Sequence, residues 1–144
     1  MPISSRVATH TILMVEDNPD HILLVEIAAR KVDPGVQVRS VRSGEKAMAY
    51  LSGAPPFDDP VVHSLPDLVI LDLLLPGLGG FDVLEWAART EEVRDIPWVV
   101  LSSSVNPGDR ERALGHGAEE FHSKPSDVVE LGETIRTILD RWLT

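Results

Sequence analysis

The chain has 144 residues, of which 43% are hydrophobic and 25% are charged, values typical of one globular domain rather than a disordered or fibrous protein. The formal net charge of −10 disfavours binding to nucleic acid or anionic lipid, and the lack of cysteine excludes disulfides, thiol nucleophiles and thiolate-bound metals. The most apolar run, residues 68–75, contains Asp72 and is too short to span a membrane. Residues 1–11 lack the pattern of a secretion signal, so we expect a cytoplasmic protein with no membrane or nucleic-acid partner.

Strand-like and helix-like segments alternate along the chain. The predicted strands are short apolar runs, and each is followed by a capping residue or a segment of helical periodicity. The five predicted strands are Thr11–Val15, 36–41, Leu68–Leu71, 97–101 and 119–122. The five helices are predicted to begin near Asn18, Ser43, Gly80, Asn106 and Ser126.

This order predicts an α/β fold, a doubly wound five-stranded parallel sheet with helices on both faces. A strand that is apolar at every position, such as Leu68–Leu71, is typical of parallel sheets buried on both sides. Residues 52–66 contain four prolines and are predicted to form a long loop. We expect residues 1–10 to be an N-terminal tail and residues 11–144 to be one domain, with no output domain.

Polar side chains follow four of the predicted strands. Glu16 and Asp17 follow the first strand, Asp72 the third, Ser102 the fourth and Lys124 the fifth. Because ligands of such sheets bind outside the carboxyl ends of the strands, we expect these side chains to converge there. A lone aspartate after a strand is often only a helix cap or turn residue. Asp72 differs, since its position within LVILDLLLP makes a charge costly unless it is paired or coordinated.

Three converging carboxylates require a cation. At about 4 Å and an effective dielectric constant near 20, each pair would repel by roughly 4 kcal/mol. A hard divalent ion that keeps some of its water, Mg²⁺, suits such oxygen ligands. Lys124 would add a second positive charge and Ser102 a hydroxyl. A metal, a lysine and a hydroxyl around one aspartate indicate a site for placing a phosphoryl group on Asp72.

Four segments in this order resemble the receiver domains of two-component response regulators. They are ILMVEDNPD, DLVILDLLLPGLGG, VVLSSS and HGAEEFHSKP. The long proline-rich loop and the terminal RWL make the chain look most like the stand-alone regulators of bacterial phytochrome histidine kinases. The resemblance implies the flavodoxin-like strand order 2-1-3-4-5. It also implies a sensor histidine kinase as partner, with a bacteriophytochrome as candidate, and a separate downstream protein target.

The same resemblance implies the roles of the site residues. Asp72 would be the phosphoacceptor, attacking the phosphorus of a phosphohistidine. Asp17 and Asp72 would bind Mg²⁺ directly and Glu16 through a water molecule. The backbone carbonyl of Leu74 would complete the protein ligands.

Four further residues receive roles in the same way. Lys124 and Ser102 would contact phosphoryl oxygens, and Phe121 would follow Ser102 as an aromatic switch. A cis peptide between Lys124 and Pro125 would aim the lysine inward. Two simpler alternatives remain open at this point: Ser102 could only cap local backbone, and Phe121 could be a fixed core residue.

Other features bear on specificity and assembly. Leu74 stands where many relatives have a polar side chain that holds a hydrolytic water, so we expect slow loss of the phosphoryl group. The five histidines show no metal-ligand spacing and are interpreted as surface or packing residues. The segments 106–115, 119–122 and 126–143 carry charges of both signs, which favours a homodimer through a two-fold contact. Trp142 and Leu143 could anchor it or could instead close the core.

Two other classes of protein remain as alternatives. A flavodoxin-like binder of flavin or nucleotide would need a loop after the first strand that cradles phosphate, where this chain has the repelling pair Glu16–Asp17. A degenerate receiver that binds a partner without phosphorylation is disfavoured because all five site positions are filled.

Overall fold

Five strands and five helices alternate in the part of the chain that the structure, a computed structural model, describes: residues 10–104 and 106–143. The predicted N-terminal tail, apart from its last residue, lies outside these ranges. The strands are β1 (Thr11–Val15), β2 (Gln37–Val41), β3 (Leu68–Leu71), β4 (Trp98–Ser102) and β5 (Glu120–Ser123). The helices are α1 (Pro19–Val32), α2 (Gly44–Ser52), α3 (Gly80–Ala88), α4 (Asp109–Gly115) and α5 (Val128–Trp142).

The strands form one parallel sheet in the order β2-β1-β3-β4-β5, which confirms the predicted fold and strand order. The register aligns the carboxyl ends of the central strands. Val15, the last residue of β1, pairs with Val41 of β2 and with Leu71 of β3. The residues that follow β1 and β3 therefore meet at the same edge of the sheet.

The sheet separates two hydrophobic cores. Alternate residues of β1 point to opposite sides, so that Leu13 and Val15 join one core while Ile12 and Met14 join the other. The first core is closed by α2, α3 and α4, and the second by α1 and α5. Because β1, β3 and β4 are covered on both faces, their apolar sequences are explained by burial.

Side-chain caps set the starts of several helices. Asn18 Oδ1 accepts hydrogen bonds from the amides of Asp20 and His21 at 2.9 and 3.4 Å, as predicted for α1. Helix α4 begins three residues later than predicted. Asn106 Oδ1 accepts a hydrogen bond from Gly108 N at 3.2 Å, which holds residues 106–108 in a turn before the helix begins at Asp109.

The carboxyl end of α5 closes the second core. Leu143 is buried, Trp142 packs against the same core, and Trp142 Nε1 donates a hydrogen bond to Glu120 Oε2 at 3.0 Å. This placement favours core closure over a free dimer anchor for these two residues. At 15 residues α5 is the longest helix of the described ranges, and none of their helices has the length and apolar character needed to cross a membrane.

Candidate functional site

Asp72 lies immediately after β3 and is almost completely buried, with 4% of its surface exposed. Its amide donates a hydrogen bond to Val15 O at 3.0 Å, which extends the pairing with β1. Its Oδ1 accepts hydrogen bonds from Ser102 Oγ at 2.8 Å and from Leu74 N at 3.0 Å. Its Oδ2 accepts one from Lys124 Nζ at 2.9 Å. These donors satisfy a carboxylate that would otherwise be costly to bury.

Helix α3 approaches the backbone next to Asp72 very closely. Gly80, the first residue of α3, donates its amide to Leu73 O at 3.2 Å. A Cβ atom at Gly80 would lie 2.7 Å from Leu73 Cα and 2.8 Å from Asp72 O, distances that real Cβ atoms do not show. Glycine at position 80 therefore allows the contact that holds the segment after β3 in place.

Glu16 and Asp17 bring two further carboxylates to this edge of the sheet. One carboxylate oxygen from each of Glu16, Asp17 and Asp72 lies within 4.8 Å of the others. Glu16 is 1% exposed, and its burial raises its pKa above the ordinary value despite the opposing effect of Lys124. Arg42 donates from Nη2 to Asp17 O at 2.9 Å and so fixes the backbone at this residue.

Lys124 joins two of these carboxylates. Its amide donates to Ser102 O at 2.9 Å, which places the residue directly beyond β5. Its Nζ lies 2.9 Å from Asp72 Oδ2 and 2.7 Å from Glu16 Oε1. Burial acts to lower the pKa of Lys124, but the bonds to both carboxylates outweigh it and the net pKa is raised. One ammonium among three carboxylates leaves two negative charges in excess.

The cluster fits a hard divalent cation. Glu16 is buried, with its Oε1 paired to the ammonium of Lys124 at 2.7 Å and its Oε2 accepting a hydrogen bond from Asn18 N at 3.0 Å. Three clustered carboxylate oxygens with excess negative charge are the donor set that Mg²⁺ prefers. The three carboxylates therefore fit the predicted metal, and the direct binding by Asp17 and Asp72, with Glu16 acting through a water molecule, stays a prediction.

The other predicted site residues lie around this cluster. The Ser102 side chain is buried and donates to Asp72 as described above, so it does more than cap local backbone. The Leu74 side chain is 54% exposed beside Asp72, and the role of its carbonyl as a metal ligand stays a prediction. Phe121 on β5 is half-buried against the first core, and its carbonyl accepts a hydrogen bond from Arg110 Nη1 at 3.2 Å. Its role as a switch stays a prediction.

The predicted cis peptide between Lys124 and Pro125 is wrong. The cis bond found in the described residues joins Pro55 to Pro56, and the bond before Pro125 is trans. The trans form is the more stable one for most bonds before proline. Lys124 contacts both carboxylates with this bond in the trans form.

Sequence reasoning missed His21. Its Nε2 lies 4.0 Å from Glu16 Oε1, and it is buried with no hydrogen-bond partner in the described residues. Burial, assisted by the charge of Lys124, lowers the pKa of His21 to about 4, so the imidazole is neutral near pH 7. The available signal was its position four residues after Asp17 in the first turn of α1, which directs the side chain back toward the end of β1.

A parallel sheet of order 2-1-3-4-5 with an acidic cluster, a serine and a lysine at its carboxyl edge defines a receiver domain. Residues 12–136 match the family of the response regulator receiver domain, and the chain belongs to this family.

Proteins similar to this chain are known from sequence and from structure. The probable methanogenesis regulatory protein FilR2 of Methanothrix harundinacea is 34% identical over 132 residues, covering 92% of this chain and 83% of FilR2. The phosphorylated cyanobacterial phytochrome response regulator RcpA superimposes with a TM-score of 0.87 at 32% identity, covering 94% of each chain. The Mn²⁺-bound response regulator Rcp1 gives a TM-score of 0.84 at 27% identity, covering 93% of this chain and 94% of Rcp1.

Proposed function

We propose that this chain accepts a phosphoryl group on Asp72 from the phosphohistidine of a sensor histidine kinase, in a reaction that depends on Mg²⁺. The observation that carries the proposal is the environment of Asp72. Its carboxylate lies between the ammonium of Lys124 and the hydroxyl of Ser102, beside two further carboxylates. A buried carboxylate with a cation on one oxygen and a hydroxyl on the other suits a nucleophile whose product is an anionic acyl phosphate.

The chemical step exchanges one bond for another at phosphorus. An oxygen of Asp72 forms the new bond while the bond from phosphorus to the histidine nitrogen breaks. The electron pair of the broken bond stays on the imidazole, and Asp72 becomes an acyl phosphate. The residues around Asp72 hold its carboxylate in position for this in-line attack.

Asp17, Asp72 and the Leu74 carbonyl would hold the metal directly, and Glu16 would act through a water molecule. Bound Mg²⁺ neutralises charge on the phosphoryl oxygens and orients them for transfer. The Mn²⁺-bound form of Rcp1 supports a divalent ion at such a site. The excess of two negative charges in the cluster of Glu16, Asp17, Asp72 and Lys124 supports it independently.

Lys124 and Ser102 act on both sides of the reaction. Before transfer they contact the two oxygens of Asp72, and after transfer they turn to the oxygens of the phosphoryl group. Because Ser102 ends β4 and Lys124 follows β5, this movement reaches the surface of α4, β5 and α5. Phe121 then moves into the space that Ser102 leaves and so acts as a switch. The output is then a change in contacts with a downstream protein at this surface.

The partners follow from the same similarity. RcpA is a cyanobacterial phytochrome response regulator, which supports a bacteriophytochrome as the kinase that phosphorylates this chain in the cytoplasm. We also propose that two copies of the chain form a homodimer through the surface of α4, β5 and α5, whose exposed charges have both signs. Because Trp142 and Leu143 pack against the second core, the proposal places the two-fold contact on the exposed charges instead.

Phosphorylation by a small-molecule donor tests the proposal without knowledge of the kinase. The protein is incubated with acetyl phosphate, with Mg²⁺ or with a chelator, and its intact mass is measured. We expect one added phosphoryl group only when Mg²⁺ is present, and peptide mapping should place it on Asp72. A folded protein that gains no mass with Mg²⁺ would instead be a degenerate receiver, and the proposal would fail.

A further inference from the structure

His21 and Glu16 form an unusual pair at the inner end of the acidic cluster. His21 Nε2 is buried and lacks a hydrogen-bond partner in the described residues, although it lies only 4.0 Å from Glu16 Oε1, which is paired with Lys124 in this structure. A buried polar atom left unpaired is costly, so a native structure normally satisfies it in some state of the protein. A gap of 4.0 Å is too short for a bridging water and closes to a direct hydrogen bond after a movement of about 1 Å.

The tautomer of His21 follows from its neighbour. If Nε2 lacked a proton, its lone pair would face the negative oxygen of Glu16 in a buried position, which is repulsive. If Nε2 carries the proton, it is a donor that faces a negatively charged acceptor 4.0 Å away. The arrangement therefore favours a neutral imidazole with the proton on Nε2.

Lys124 explains why the pair is open in this structure. The ammonium lies 2.7 Å from Glu16 Oε1, so this oxygen already has a counter-charge. In the proposed reaction Lys124 turns to the phosphoryl group, and Glu16 Oε1 then loses that counter-charge. The amide of Asn18 donates to the other oxygen, Oε2, at 3.0 Å, so His21 Nε2, 4.0 Å from Oε1, is placed to replace the ammonium there.

We infer that His21 is a positioning residue that donates a hydrogen bond from Nε2 to Glu16 when Lys124 leaves for the phosphoryl group. The bond holds the Glu16 carboxylate in the orientation that the metal site needs. His21 itself contacts neither the metal nor the phosphoryl group. The inference rests on the proposed function, because it assumes that Lys124 moves during phosphorylation.

Two variants of similar size separate hydrogen bonding from packing. His21→Gln places an amide N–H at the reach of Nε2, whereas His21→Met has a similar length and no donor. Both residues are good helix formers, so α1 should tolerate either. Leu23→Met, on the exposed face of the same helix, is the control for a change in α1 away from the site.

The measurement is the Mg²⁺ concentration that gives half the maximal rate of Asp72 labelling by acetyl phosphate. We expect His21→Met to raise it about tenfold, as for the loss of one hydrogen bond to a charged group. His21→Gln should stay within about twofold of the wild type, as should Leu23→Met. Thermal unfolding without Mg²⁺ should not separate the Gln and Met variants, because the bond is open in the resting state.

A second comparison shows whether His21 acts through Glu16. In a Glu16→Gln background the charged acceptor is gone, so adding His21→Met should change the Mg²⁺ requirement by less than about twofold. An unchanged tenfold effect there would overturn the inference, as would equal behaviour of His21→Gln and His21→Met. A wild type that is not labelled at all would instead refute the proposed function, so the two failures are distinguishable.

Discussion

The ammonium of Lys124 lies 2.9 Å from Oδ2 of Asp72 although 52 residues separate them in the sequence. The parallel sheet brings them together, because the carboxyl ends of β3 and β5 lie at the same edge with only β4 between them. The same ammonium also reaches Glu16, so a single cation joins the residues that follow three of the five strands. A change at any of the three side chains should therefore affect the other two.

Replacing Asp72 by asparagine should abolish phosphorylation while the protein stays folded. The amide keeps the size of the side chain and an oxygen that can accept from Ser102, but it is not a nucleophile for phosphorus. In a chelator the variant should also unfold at a temperature higher by about 2–4 °C, because one of the clustered carboxylates is removed. Intact mass after acetyl phosphate treatment and thermal unfolding are the measurements.

Asp58→Asn is the matched control for that experiment, since it makes the same charge change in the exposed loop between α2 and β3. It should be labelled like the wild type and show no comparable gain in unfolding temperature. Undiminished labelling of Asp72→Asn would contradict the assignment of the phosphoacceptor.

The raised pKa of Glu16 predicts a specific pH dependence of stability in the absence of divalent metal. Above the ordinary value of 4.5 the folded protein holds a proton on Glu16 more readily than the unfolded chain does. The free energy of unfolding therefore falls as the pH rises from 4.5 through the folded pKa. His21, whose pKa is lowered from 6.5 to about 4, contributes the opposite slope in the same range.

The contribution of Glu16 is isolated by comparing the wild type with Glu16→Gln. Urea unfolding in a chelator at several pH values between 4.5 and 7 gives both curves. We expect the difference in stability, variant minus wild type, to increase with pH. A difference that is constant over this range would show that Glu16 does not titrate as its burial indicates.

Leu74 should slow the hydrolysis of the acyl phosphate. Its side chain is 54% exposed beside Asp72. It cannot hydrogen-bond an attacking water and would partly cover a phosphoryl group on Asp72. Leu74→Asn should therefore lose the phosphoryl group about 3- to 10-fold faster, which corresponds to roughly 1 kcal/mol in the barrier. The decay of the phosphorylated mass after removal of acetyl phosphate measures the rate. Leu23→Asn, at 53% exposure on α1, should decay like the wild type.

If the proposed homodimer forms, its stability should depend on the charges on α4. Arg110 is exposed on α4 and contacts the carbonyl of Phe121, so it belongs to the proposed two-fold surface. Arg110→Glu should weaken the dimer about tenfold or more, whereas Arg89→Glu beyond the end of α3 should not. Sedimentation velocity gives the answer, and a wild type that remains monomeric when phosphorylated would end this proposal.

The sequence predicted the order of elements well because the strands are apolar and several helices have clear caps. One boundary that it missed depends on pairing between distant residues. Strand β4 runs to Ser102, one residue further than predicted, because Ser102 pairs with Ser123 of β5. No local pattern marks that pairing, since a serine at a strand end is equally suited to a turn.

The site was predicted in outline for a similar reason. The topology rule placed Glu16, Asp72 and Lys124 at one edge, and burial of Asp72 within leucines required a partner. Which atoms meet there depends on side-chain directions that the sequence does not show. The proximity of His21 to Glu16 depends on how α1 packs against β1. The prediction of a cis bond before Pro125 rested on the resemblance alone, without a physical argument from this sequence.

The close contact of Gly80 with the backbone at Asp72 and Leu73 limits which residues position 80 can accept. Any side chain at position 80 would push α3 away or shift the peptide of Asp72, even though the position has no reactive group. In a saturation library selected for phosphorylation, position 80 should tolerate as little change as Asp72 itself. Leu74, whose side chain is exposed, can be substituted more freely. The lifetime of the phosphorylated state can therefore be changed at position 74 but not at position 80.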